Sequence, residues 1–370
     1  MEQLVGHSLK EIDTPALIVD LAVLERNLTR MQSAADRAGL QVRPHIKAHK
    51  TPEIARLQLD TGAIGVTAAK VSEAEVFALC EGVSEIFIAN EVVGLAKVLR
   101  LLRLSHRVPR LSVAVDSPQC AEPLSEAFHT AGRTLDVMIE IDGGAGRCGV
   151  TTDGLLPLAD HIAHLPGLKL VGLMAYCPHG YQVHGEAELR RVAAREGEFL
   201  AEQAERLQTA GFDVERVSGG STPTGLHYER GCGLTEIRPG TYCLNDRNQV
   251  DLGACAEEDV GAAVLTTVIS CPSADRALVD AGAKAMGLAA SPISDGYGFV
   301  VGTTARLYKL NDEHGYLDVT GLPEHPKVGD KLLIVPPRLC TCVALHDHLW
   351  ACRDGRLEGI WHIAARGALT

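Results

Sequence analysis

A lysine near the start of the chain is the residue whose type and setting point most directly to chemistry. Lys47 lies in the segment 43–50, at the end of a predicted strand that begins near Gln41. A lysine that points into a pocket loses hydration, and its amine can then form a Schiff base with a carbonyl compound. Most lysines are instead solvated surface charges, so the residues at other predicted strand ends must decide the interpretation.

A glycine-rich segment follows a later predicted strand. Residues 141–149 contain a literal Gly-x-Gly-x-x-Gly, which is the fingerprint of a dinucleotide-binding turn. That interpretation also requires an acidic residue at the end of the next strand, to hold a ribose. The next predicted strand ends instead at Tyr176, so the sequence gives the nicotinamide hypothesis little support.

A second such segment, residues 218–224, reads Ser-Gly-Gly-Ser-Thr-Pro-Thr. Backbone N–H groups and small hydroxyl side chains at a strand end can hold a phosphate. The Gly-Lys-Ser/Thr ending of a nucleoside-triphosphate loop is missing, and a plain turn remains open as an alternative. The nearby Tyr242 offers an aromatic hydroxyl to the same edge of the predicted sheet.

The composition limits the class of protein. The chain has 370 residues, of which 46% are hydrophobic and 22% charged, and its net charge is −12. This length predicts about two domains, and the acidic balance argues against a nucleic-acid or anionic-membrane partner. The eleven cysteines are scattered and odd in number, so we expect no disulfide framework. Residues 1–11 lack the apolar core of a signal peptide, which predicts a cytoplasmic protein.

The hydrophobic pattern predicts alternating strands and helices. Eight strand-like runs are separated in most cases by amphipathic helices, the clearest at 186–207. The runs are 41–47, 64–68, 85–89, 111–115, 136–141, 168–175, 214–218 and 236–238. The alternation predicts a (β/α)8 barrel with its site at the carboxyl ends of the strands, and a doubly wound open sheet is the structural alternative. After Val250, short β-branched runs predict a mostly antiparallel β domain.

Several of these motifs occur together in one family. They are Pro-His-x-Lys-x-His-Lys, Asp-x-Gly-x-Gly-Arg-Cys-Gly-Val, a tyrosine that ends a strand, and Gly-Gly-Ser-Thr-Pro-Thr. In this order they resemble the fold-type III pyridoxal-phosphate enzymes with an alanine racemase-like barrel. The similarity is closer to the group of D-threonine aldolase, D-serine dehydratase and D-threo-3-hydroxyaspartate dehydratase. It extends over residues 13–366.

The resemblance implies roles for individual residues. Lys47 would carry the pyridoxal 5'-phosphate and act as an acid and base, and Arg147 would face the pyridine nitrogen. A guanidinium there gives up no proton, so the ring would be a weaker electron sink. Tyr176 would lie beside the cofactor. The predicted phosphate-binding residues are Gly219, Gly220, Ser221 and Thr222, with Tyr242 as a further cofactor contact.

The resemblance also implies a domain organisation. The pyridoxal-phosphate-binding barrel would occupy residues 22–250, and the C-terminal β domain residues 251–370. The first strand, within 1–21, would join the β domain. Enzymes of this type are usually homodimers with the active site at the subunit interface, and their substrates are small amino acids.

The sequence departs from the family pattern at one point. The group commonly binds a divalent metal through a His-x-Cys or His-x-Asp pair after a proline, and this metal holds the substrate's β-hydroxyl. Here Arg338 stands in place of the histidine, while Cys340 keeps the second position. Arginine stays protonated and cannot be a ligand. We expect its guanidinium to replace the metal as a fixed cation. A metal held by Cys340 with His346 or His348, and an arginine that merely neutralises local charge, are the alternatives.

The resulting function hypothesis is a pyridoxal-phosphate lyase that acts on a D-β-hydroxy amino acid. It would act by retro-aldol cleavage or by β-elimination of water, and His45, His179 and His314 are the candidates for assisting Lys47. An amino-acid racemase of fold type III is the alternative, with a second acid or base from Tyr297, Tyr308 or Tyr316. A non-catalytic pyridoxal-phosphate carrier is a further alternative, which the additional β domain after residue 250 disfavours.

Overall fold

The structure is a computed structural model that describes residues 4–370 and comprises two compact units. The first unit runs up to Leu28 and includes Ala48–Glu53 and Thr241–Gly367. The second unit consists of Thr29–Lys47, Ile54–Gly240 and Ala368–Thr370. Positions 1–3 of the predicted N-terminal segment 1–21 lie outside the described residues.

Strands and helices alternate through the second unit, whereas strands dominate the first. In chain order the strands are β1 (Ala16–Asp20), β2 (Gln41–Val42), β3 (Val66–Ala68), β4 (Glu85–Glu91), β5 (Arg110–Val115), β6 (Leu135–Ile141), β7 (Leu168–Ala175), β8 (Arg216–Gly219), β9 (Glu236–Ile237), β10 (Ala262–Ser273), β11 (Arg276–Val279), β12 (Gly298–Val300), β13 (Arg306–Leu310), β14 (Gly315–Asp318), β15 (Lys331–Val335), β16 (His348–Arg353) and β17 (Arg356–His362). The α-helices are α1 (Leu21–Ala38), α2 (Pro52–Asp60), α3 (Val71–Phe77), α4 (Leu95–Leu104), α5 (Pro118–Thr130), α6 (Leu155–Ala163), α7 (Glu186–Thr209), α8 (Arg247–Asp251), α9 (Ala283–Met286) and α10 (Leu339–Val343).

Eight parallel strands form the sheet of the second unit, in the order β2-β9-β8-β7-β6-β5-β4-β3. The two end strands meet through a parallel bridge between His45 and Thr67, and the Thr67 N–H donates to the Pro44 carbonyl at 2.8 Å. This contact closes the sheet, so the predicted (β/α)8 barrel is confirmed and the open-sheet alternative is wrong. Apolar side chains from the four neighbouring strands β4 to β7 form one buried cluster of this unit, which comprises Phe87, Ala114, Met138, Val171 and Met174.

The first barrel strand is shorter than predicted. The run 41–47 predicts a strand of seven residues, but β2 ends at Val42 and residues 46–48 form a turn of 3-10 helix. Pro44 explains the difference, because it has no N–H to donate to the hydrogen bonds between neighbouring strands. The predicted run 168–175 matches β7 exactly in its bounds, and the predicted helix 186–207 corresponds to α7.

The first unit contains a nine-stranded, mostly antiparallel sheet in the order β11-β14-β13-β12-β15-β10-β1-β16-β17, with an additional pairing of β10 with β11. Strand β1 pairs antiparallel with β10 and parallel with β16. The apolar core of the first unit includes Ile12, Ile18, Leu265, Cys352 and Leu357. Among residues 4–370, no helix is both long and apolar enough to cross a bilayer.

Candidate active site

Lys47 lies just beyond the carboxyl end of the first barrel strand, in the short 3-10 turn. Its side chain is exposed, whereas its neighbours Ile46 and Ala48 are buried. The preceding His45 is also buried, and its N–H donates to the Pro239 carbonyl at 2.9 Å, which ties the first strand end to the last one. The turn therefore presents the Lys47 amine between two buried residues, from a backbone that is anchored at His45.

Arg147 and Tyr176 come together at the ends of two neighbouring strands. Arg147 follows β6 and Tyr176 follows β7, and the guanidinium carbon lies 5.0 Å from the centre of the tyrosine ring. The same guanidinium lies 3.7 Å from the Glu140 carboxylate, and 55% of the arginine side chain is exposed. The structure thus joins two residues that the sequence only placed at separate strand ends, and it leaves the guanidinium accessible to a bound molecule.

The glycine-rich segment after β6 is not arranged to bind a dinucleotide. One carboxylate oxygen of Asp142 accepts the N–H groups of Gly144, Ala145 and Gly146, at 3.0, 2.9 and 3.2 Å. A dinucleotide-binding turn needs such N–H groups for the pyrophosphate. Because Asp142 already accepts them, the Gly-x-Gly-x-x-Gly motif serves to shape the loop that carries Arg147.

The segment after β8 offers hydroxyl groups and one backbone donor. The N–H of Gly220 donates to Glu196 at 2.8 Å, and that of Ser221 donates to the Thr224 hydroxyl at 3.0 Å. Neither N–H is therefore available to a phosphate. This reduces the number of predicted phosphate-binding groups in residues 219–222. Thr222 is buried, and within residues 4–370 its N–H and hydroxyl have no hydrogen-bond partner. The donors that fit an anion are Thr222 and the hydroxyl of Ser221.

A buried arginine that the sequence analysis did not single out lies at the end of the last barrel strand. Arg238 donates to the Ser218 hydroxyl, and to the Ala175 carbonyl at 2.8 Å. Burial lowers the pKa of its guanidinium, although Glu236 and Glu140 oppose this effect. An arginine directly after a predicted strand was the signal in the sequence, and it marks a buried cation at the end of that strand.

Glu140, which lies beside Arg147, also interacts with Glu91. Burial, and then the neighbouring Glu91, raise the pKa of Glu140 to about 8. Glu91 also belongs to a group with Asp116 and Cys148 whose ligand atoms all lie within 4.8 Å of one another, which is close enough for one metal ion. Burial raises the pKa of the Cys148 thiol to about 11, so a metal would have to displace a tightly held proton.

Three predicted site residues belong to the first unit. Tyr242 is buried. Arg338 is exposed and immediately precedes the short helix α10, and Cys340 lies within that helix and is half-buried. His346, an alternative metal partner of Cys340, lies with its Nε2 2.9 Å from the Ala285 carbonyl. The group of close metal-ligand side chains found in residues 4–370 does not include Cys340.

Comparisons with known proteins find the same group of enzymes over nearly the whole chain. Residues 19–247 match the family "Alanine racemase, N-terminal domain", and residues 261–352 match "Putative serine dehydratase domain". D-threonine aldolase of Arthrobacter sp is 40% identical, over 98% of this chain and 95% of its own. D-threo-3-hydroxyaspartate dehydratase of Delftia sp. is 35% identical, over 90% and 92%. The crystal structure of D-threonine aldolase from Filomicrobium marinum superposes with a TM-score of 0.89 at 34% identity, covering 99% of both chains.

Proposed function

Because the chain belongs to the family of the alanine racemase N-terminal domain, we propose that it is a pyridoxal-phosphate lyase that cleaves a D-β-hydroxy amino acid by a retro-aldol reaction. Its close relatives are aldolases and dehydratases. The observation that carries the proposal is the convergence of Lys47, the Arg147–Tyr176 pair and the Ser221–Thr222 donors on the strand ends of one barrel. The 40% identity to an aldolase supports the choice of reaction.

The residues present fit pyridoxal 5'-phosphate. Thr222 and the Ser221 hydroxyl would hold the phosphate, and Lys47 would carry the aldehyde carbon. When bound, the cofactor withdraws electrons from the substrate's α-carbon. Arg147 is the predicted partner of the ring nitrogen, and Arg238 is a second guanidinium at the strand ends, which is buried and held by two hydrogen bonds. Both guanidinium groups stay protonated, so each supplies a permanent positive charge at the strand ends.

The amino-acid residues then have to move protons. In retro-aldol cleavage a base removes the β-hydroxyl proton, the Cα–Cβ bond breaks, and the α-carbon receives a proton in its place. The products are an aldehyde and glycine. Lys47 is the proposed proton donor at the α-carbon, and His45, at the same strand end, is the proposed base. A homodimer is part of the same proposal and is supported by the family resemblance. A cytoplasmic location is also proposed, because the eleven cysteines form no disulfide framework in the sequence.

A product assay tests the proposal. We expect incubation of the enzyme and pyridoxal 5'-phosphate with D-threonine or D-3-hydroxyaspartate to release an aldehyde and glycine. Chromatography separates these products from a 2-oxo acid with ammonia and from the L-amino acid. L-Threonine serves as the control substrate. A 2-oxo acid formed together with ammonia, and without glycine, would replace the aldolase by a dehydratase, for which the 35% identity to the Delftia enzyme is the present support. An L-amino acid inverted only at the α-carbon as the main product would indicate a racemase.

Chelators test whether Arg338 replaces a metal. If its guanidinium holds the substrate, EDTA should change the activity by less than about twofold. Arg338→Ala should lower kcat/KM by about 10- to 100-fold, the effect of losing a hydrogen bond to a charged group. Arg356→Ala is the control, because that arginine is also exposed and pairs with the Gly6 carbonyl.

Loss of activity with EDTA and its restoration by Mn²⁺ would contradict the arginine hypothesis. The comparison of Cys340→Ser with Cys148→Ser would then identify the metal site. A metal at the predicted position requires Cys340, whereas a metal in the barrel requires Cys148 with Glu91 and Asp116.

A further inference from the structure

Helix α7 buries a carboxylate on a mostly apolar face. Glu196 is 5% exposed and lies on the same face as Val192, Ala193 and Leu200, which pack into the core of the second unit. A buried carboxylate costs several kcal/mol unless hydrogen bonds compensate for the lost hydration. Its partners therefore indicate why an acid is present there.

The partners of Glu196 belong to the loop that follows β8. One carboxylate oxygen accepts the Gly220 N–H at 2.8 Å. The other accepts the Tyr228 hydroxyl at 2.7 Å, and this hydroxyl lies 3.3 Å from the hydroxyl of Thr224. Thr224 in turn accepts the Ser221 N–H at 3.0 Å and lies 3.1 Å from the Ser221 hydroxyl. A continuous chain of hydrogen bonds thus runs from the helix to both ends of the Gly220–Ser221 turn.

The backbone of this turn is also pressed against the helix. Gly220 has a φ of +75°, in the left-handed region that favours glycine. A Cβ on Gly219 would lie 2.8 Å from Leu200 and 3.3 Å from the Glu196 carboxylate. These close contacts leave the Gly219–Gly220 backbone little room to shift away from the Glu196 carboxylate.

We propose that Glu196 is a positioning residue for the cofactor phosphate, which orients the Ser221 and Thr222 donors by holding Gly220 and, through Tyr228, Thr224. This inference rests on the proposed function, since it concerns the same cofactor. Glu196 itself does not touch the phosphate: it accepts the Gly220 N–H and thereby selects which groups of the loop remain for the anion. Burial raises the pKa of Glu196, although the hydrogen bonds from Tyr228 and Gly220 oppose this.

The test compares two ligands that differ only in the phosphate. Dissociation constants of pyridoxal 5'-phosphate and of pyridoxal are measured on the apoenzyme by fluorescence quenching. Glu196→Ala should weaken pyridoxal 5'-phosphate by about tenfold or more, the effect of losing a hydrogen bond to a charged acceptor, and change pyridoxal by less than about twofold. Glu196→Gln keeps an acceptor for the Gly220 N–H and should restore most of the affinity. Glu198→Ala, an exposed position on the same helix, is the control.

Each outcome decides the inference. Equal weakening of both ligands in Glu196→Ala, unchanged binding of both, or a glutamine variant as defective as the alanine one would overturn it while leaving the proposed function intact. If Glu196→Ala does not fold, Tyr228→Phe replaces it, because that change removes only the hydroxyl between Glu196 and Thr224. A selective loss of pyridoxal 5'-phosphate affinity is again required. Wild-type protein that binds neither ligand would overturn the proposed function itself.

Discussion

Lys47→Ala is expected to abolish the lyase activity and the visible absorption of the bound cofactor. The proposed role of Lys47 combines a covalent link to the cofactor with proton transfer at the α-carbon, and its place on an anchored turn gives it a defined position. Loss of a positioned acid–base group alone costs about 10²- to 10⁴-fold in rate. The decrease in kcat should reach at least this range, measured by aldehyde release together with an absorption spectrum.

Two further variants make this prediction specific. Lys47→Arg keeps the positive charge but not an amine that can lose a proton, so it should be as inactive as the alanine variant. Lys97→Ala, in helix α4, removes a lysine outside the proposed site and should keep normal activity. A cofactor absorption band that survives in Lys47→Ala would show that another lysine carries the cofactor.

Arg43→Met is expected to lower the free energy of unfolding by about 3–5 kcal/mol, as when one partner of a buried ion pair is removed. Arg43 is 1% exposed inside the barrel. It donates to Glu236 at 3.0 Å from two nitrogens, and to Glu85 at 2.8 Å. The methionine is of similar length, so the loss reflects mainly two carboxylates that are left with fewer partners. Urea denaturation at pH 7 measures the effect.

The pH dependence of the free energy of unfolding tests whether the lost ion pair of Arg43 explains the lower stability. Burial would raise the pKa of Glu236, but Arg43 and Arg216 outweigh this and hold it well below its usual range. In the wild type this contribution to stability is present above the unfolded pKa of about 4.3 and is lost as the pH falls below it. Without Arg43 the pKa of Glu236 in the folded state rises. The difference in the free energy of unfolding between the wild type and Arg43→Met should therefore shrink between pH 7 and pH 4. A constant deficit would instead indicate lost packing.

Arg110→Met is the matched control for Arg43. Arg110 pairs with the same Glu85, at 3.4 Å, but its side chain is 71% exposed. Surface ion pairs contribute about 0–1 kcal/mol because water and salt screen them, so this variant should be nearly as stable as the wild type. Combining Arg43→Met with Glu236→Gln should recover part of the loss, since the uncompensated charge is removed together with its partner.

Much of the fold followed from local patterns. The alternation of apolar runs predicted the strands of the barrel, and the 3.6-residue period predicted α7, because both periodicities reflect which side chains face the core. The error at β2 arose because the apolar and polar pattern continued through Pro44, where the backbone could not. The candidate site was predicted as a set of strand-end residues that includes Lys47, Arg147 and Tyr176. The structure brings Arg147 and Tyr176 into contact, and the role of each residue stays a prediction.

The sequence by itself determined which elements form and which side chains follow the strands, because these properties depend on near neighbours along the chain. Only the tertiary structure decided which charges meet. Arg43 and Glu236 are 193 positions apart, and Glu196 and Gly220 are 24 positions apart on different elements. A charged residue within an apolar run is unfavourable until a partner is found. Barrel closure and the packing of α7 supply those partners, so the contact between Glu196 and the loop after β8 became visible only in three dimensions.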